Sequence, residues 1–96
     1  MKKISSLLHF AIRSKNAVIG YNSLLASSAK KMGLIIIDEG TSENSIKKII
    51  KTFPDTKINI MAEPGNLISK SSVKIIGVKT SEFDKEIKKH LKSLEI

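Results

Sequence analysis

Ile4, Leu7, Leu8, Ala11 and Ile12 fall at i, i+3, i+4, i+7 and i+8, the apolar stripe of an amphipathic helix of about three turns that ends near Ser14 to Asn16. A second pattern follows at once. Ala17 to Ile19, bounded by Asn16 and Gly20, is short and β-branched and predicts a strand that turns through glycine into a helix. That second helix is expected from Tyr21 to Lys31, with Leu24, Leu25, Ser28, Ala29 and Met32 on or beside its buried face. Leu34 to Ile37 does not alternate, so this strand is expected to be covered on both faces.

Ser42 suits an N-cap for a third helix that carries Ile46, Ile49, Ile50 and Phe53 toward the core and stops at Pro54-Asp55. Lys57-Ile58-Asn59-Ile60-Met61 alternates as a strand does, and Glu63-Pro64-Gly65 turns the chain into a short helix holding Leu67 and Ile68. Val73 to Val78 is the last strand. Ser81 and Asp84 open a final helix with Phe83, Ile87, Leu91 and Leu94 on one face. The order α-β-α-β-α-β-α-β-α implies right-handed crossovers and a three-layer α/β/α sandwich around a central four-stranded mixed sheet. Ninety-six residues allow one domain, 1–96, with one modest core.

Composition narrows the function classes. With no cysteine, thiol nucleophiles, disulfides and thiolate metal sites are excluded, which suits a cytoplasmic protein. His9 and His90 stand on different helices without a ligand triplet, so neither a metal site nor a Ser/His/Asp arrangement is expected, and no cofactor is implied. The longest apolar run, Leu34 to Ile37, is far below the roughly 20 residues of a membrane helix. The net charge is +8, the footprint of a protein that meets phosphates, although Lys-rich surfaces also arise as solvated faces. The stripe Lys85, Lys88, Lys89 and Lys92, interleaved with Asp84 and Glu86, reads as such a face.

The chemistry-bearing positions gather at strand ends. Gly20 lets backbone approach a phosphate, or serves as a plain turn. Asn22 could bond a base edge or cap the helix; Tyr21 could stack on an unpaired base or lie half-buried. Lys15, Lys30 and Lys31 are expected to bracket the same edge and to contact phosphates, if they are more than solvated side chains. Asp38 and Glu39 end a strand where α/β enzymes place carboxylates, but no phosphate-binding glycine loop accompanies them.

Taken together, the run Leu7 to Arg13, the Val18-Ile19-Gly20 turn, the strand Leu34 to Ile37 with its acids, Thr41-Ser42-Glu43-Asn44, and Val73 to Val78 with Phe83 resemble the kink-turn-binding ribosomal protein family. The similarity spans nearly the whole chain and is greatest to the short bacterial members often called probable ribosomal proteins. It implies a small sandwich that grips structured RNA, ribosomal RNA included, with one loop edge of the sheet. The family's Gly-x-Asn-Glu-x-x-Lys stretch matches Gly20 to Ala26, with Ser23 in place of Glu and Ala26 in place of Lys. Its acids match Asp38 and Glu39, and its Glu-Leu-Gly element matches Asn66-Leu67-Ile68, keeping the leucine. The expectation is a noncatalytic RNA-binding module. A protein-interaction or scaffold domain that has lost kink-turn recognition is the alternative, and a small hydrolase using Asp38 or Glu39 ranks below both.

Overall fold

Met32 to Asp38 form the longest strand, and everything else is arranged about it. The computed structural model describes residues 2–27, 32–70, 72–79 and 85–87. In chain order these give α1 (Lys2–Arg13), β1 (Ala17–Ile19), α2 (Tyr21–Ala26), β2 (Met32–Asp38), α3 (Glu43–Thr52), β3 (Lys57–Met61), a 3-10 helix (Pro64–Ile68) and β4 (Ile75–Lys79). Lys85 to Ile87 are again helical.

The sheet runs β1-β4-β2-β3, with β2 parallel to β3 and β4 antiparallel to both β1 and β2. So β1, β2 and β3 point one way and β4 the other. It is a mixed four-stranded sheet, and helices alternate with its strands. Side chains on successive strand residues take opposite faces, so β2 feeds two cores. Leu34 and Ile36 join Leu8, Ala11, Leu67, Ile68, Ile76, Val78 and Ile87 on the α1 face. Ile35 and Ile37 join Leu24, Ile49, Phe53 and Ile75 on the α2/α3 face. A register shift between Met32 and Leu34 places Met32 in that second core despite its even number.

Some expected boundaries move. The second helix stops at Ala26, because Ser27 takes an extended backbone and its hydroxyl bonds the Ser23 carbonyl at 3.0 Å. Met32 is therefore buried as expected, but in a strand. The third helix buries Ile49 and Phe53, half-buries Ile46 and leaves Ile50 48% exposed, since only the central stripe of a helix over the sheet's margin is covered. The last strand starts at Ile75 and reaches Lys79. The proposed Ser81/Asp84 helix start, Phe83, Leu91 and Leu94 lie outside the described residues.

Candidate nucleic-acid interface

Three parallel strands bring their C-terminal turns to one end of the sheet. The Gly20 N-H donates to the Ile75 carbonyl at 2.9 Å, the Asp38 N-H to Lys74 at 2.8 Å and the Glu39 N-H to Met61 at 2.9 Å. The turns after β1, β2 and β3 thus lie side by side at the start of β4. Gly20, Tyr21, Asn22, Ser23, Glu39 and Asn66 all sit along this edge. Gly20 has φ +95 and is itself the residue before the helix, so Asn22 is not its cap. Asn22 and Ser23 are exposed, and Tyr21 is half-buried against the second core. The Asn66 side-chain amide donates to Glu63 Oε2 at 3.1 Å.

Two expected contact residues are placed inward. Asp38 is 7% exposed: its Oδ2 accepts the Gly40 N-H at 2.8 Å and its Oδ1 the Glu63 N-H at 2.9 Å. The carboxylate ties the turn after β2 to the turn after β3. Leu67 is 4% exposed and packs in the first core, because the 3-10 helix lies under α1, where the Ser5 hydroxyl donates to the Leu67 carbonyl. Its side chain serves packing.

Charge separates the two ends of the sheet. Among the described side chains, the Gly20 edge carries Asp38, Glu39, Glu43 and Glu63 against Lys70 and Lys74. The opposite edge, at the N-terminal ends of β1, β2 and β3, carries Arg13, Lys15, Lys51, Lys57 and Lys79 against Asp55. Lys15 therefore does not bracket the Gly20 turn. Its place is fixed by the tight turn between α1 and β1, where it adopts φ 63 and the next residue's carbonyl accepts the Lys79 N-H at 2.7 Å. Lys30 and Lys31 lie outside the described residues.

The magnitudes make these two surfaces independent. Five-residue strands such as β3 rise roughly 13 Å, beyond the screening length of about 8 Å at physiological salt. A ligand at one end hardly senses the other. The cationic rim also spans all four strands, roughly 14 Å across at the usual interstrand spacing. Four of its members, Arg13, Lys51, Lys57 and Lys79, were not singled out from the sequence. A signal was present: Arg13 and Lys51 occupy the last turns of their helices, where the macrodipole favours cations, and Lys57 opens a strand. Antiparallel packing of each helix on the following strand puts those ends together.

The chain matches no protein-family model and no curated protein. Among solved structures it is similar to a protein with unknown function from Bacillus halodurans C, at 20% identity and a TM-score of 0.76, covering 93% of this chain and 96% of that one. At that identity the likeness speaks for the fold.

Proposed function

We propose that this protein binds structured RNA without catalysis, and that the RNA lies against the cationic rim at the N-terminal ends of β1, β2 and β3. The observation that carries this reading is the gathering of Arg13, Lys15, Lys51 and Lys57 around one end of the sheet, with Asp55 beside them among the described residues. A rim of that sign and width attracts several phosphates at once. The resemblance to the kink-turn-binding family supports RNA as the polyanion. It would seat the RNA at the Gly20 edge, but the carboxylates of Glu39, Glu43 and Glu63 there repel phosphates, so the rim is the better seat.

Binding of a fluorescent structured RNA tests this. Expected is a log-log salt slope of roughly −3 for about four neutralised phosphates, and a loss of tenfold or more in affinity when Lys15, Lys51 and Lys57 are changed together to Glu. Unchanged affinity in that variant would remove the rim from the site. The acidic Gly20 edge favours a second reading, a protein-interaction domain for a basic partner. Glu39→Lys with Glu63→Lys would then abolish partner binding while RNA affinity held or rose.

A further inference from the structure

Phe10 is 57% exposed in a chain that has only four aromatic residues. Phe53 is buried and Tyr21 is half-buried. Phe10 stands on α1 opposite the inward Leu8 and Ala11, beside Ser6, His9 and Arg13 on an open surface. An exposed ring on an open face can take one flat base laid against it. The four residues fall at i, i+3, i+4 and i+7, so they form one stripe along the helix. The stripe leads straight into the cationic rim, because Arg13 is the last residue of α1 and Lys15 follows in the turn. The helix contains no acidic residue.

We infer that Phe10 is a stacking platform for one unpaired base of the RNA held by the rim, with the Arg13 guanidinium on the adjoining phosphate. This rests on the proposed RNA function and sharpens it to a class of target: RNA in which a splayed, single-stranded nucleotide adjoins a helix. Bases in a loop or bulge offer a free face for an aromatic ring, whereas those of an A-form duplex are stacked inside it. Charge selects the polyanion along the rim, and the ring selects an unpaired position within it.

The experiment compares two RNAs of equal length, a stem with an unpaired loop and a fully paired duplex, against wild type, Phe10→Ala and Phe10→Tyr. Phe10→Ala is expected to lose roughly fivefold or more in affinity for the looped RNA and to keep its affinity for the duplex. Phe10→Tyr is expected to retain both. A 2-aminopurine in the loop should be quenched by wild type and by Phe10→Tyr, and not by Phe10→Ala. If Phe10→Ala binds the looped RNA as wild type does, the platform is overturned while the rim stands. If neither RNA binds wild type, the RNA function and the platform fall together. Loss of a dimer in Phe10→Ala, by sedimentation, with no change in loop preference, would assign the ring to a second copy of the chain and overturn the proposal.

Discussion

Changing Asp38 to Ala takes away the acceptor of both the Gly40 and the Glu63 N-H, and hydrogen bonds to a charged, buried acceptor are among the stronger ones. The expected loss is about 2 kcal/mol of stability, read from urea unfolding. Asp38→Asn keeps one acceptor oxygen but turns an amide toward the other N-H, so it should recover only part of the loss. A different backbone argument applies at Gly20. An added Cβ would meet nothing within 4 Å, yet φ +95 with ψ 155 is a region that side chains avoid. Gly20→Ala is thus expected to cost roughly 1–3 kcal/mol through strain alone, with the fold retained. Thr41 Oγ1 is buried without a hydrogen-bond partner, so Thr41→Val should leave stability unchanged or raise it by up to about 1 kcal/mol. A clear loss in the thermal midpoint would show that this hydroxyl is satisfied after all.

At the scale of elements, α2 fits closely against the sheet. A Cβ built on Gly77 of β4 would lie 2.7 Å from Leu24 Cδ1, 3.1 Å from Val18 Cγ2 and 3.3 Å from Met32 Sδ. Gly77 therefore makes the space into which a very short helix lowers its one fully buried leucine. Gly77→Ala is expected to destabilise by about 1–3 kcal/mol by overpacking. Leu24→Val should relieve part of that cost, and a double-mutant cycle should return a coupling of about 0.5 kcal/mol or more. Strict additivity would mean the two positions do not press on each other. The start of α3 is the other local device. The Ser42 hydroxyl accepts the Ser45 N-H at 3.3 Å, and Ser42→Ala should cost about 1 kcal/mol.

For the molecule as a whole, what matters is that the described side chains give one sheet end an excess of acids and the other an excess of cations, so net charge alone does not tell where a polyanion goes. The triple reversal of Lys15, Lys51 and Lys57 should lower RNA affinity much more than reversal of three other cations, Lys47, Lys48 and Lys70, at equal net charge. Equal losses would reduce the effect to overall charge. Within this molecule the element types were legible from periodicity: the stripe Leu7, Leu8, Ala11, the unbroken run Leu34 to Ile37 and the alternation Lys57 to Met61 all occupy the expected kinds of element. Periodicity reports burial, which a residue and its near neighbours express locally. That is also why the pattern marks Met32 as buried, on or beside the face of a helix ending at Lys31, while the residue itself opens β2. A mixed sheet was expected and is found, but which end of the sheet each loop occupies depends on which strand is reversed, and that it is β4 is written in no local pattern. Asp38 looked like a free carboxylate because the Glu63 amide that occupies it is 25 positions away. The chain by itself determined the alternating α/β layers, since each stretch carries its own buried face; only the tertiary structure decided which charged turns share an end of the sheet, because that rests on pairings between residues far apart in sequence.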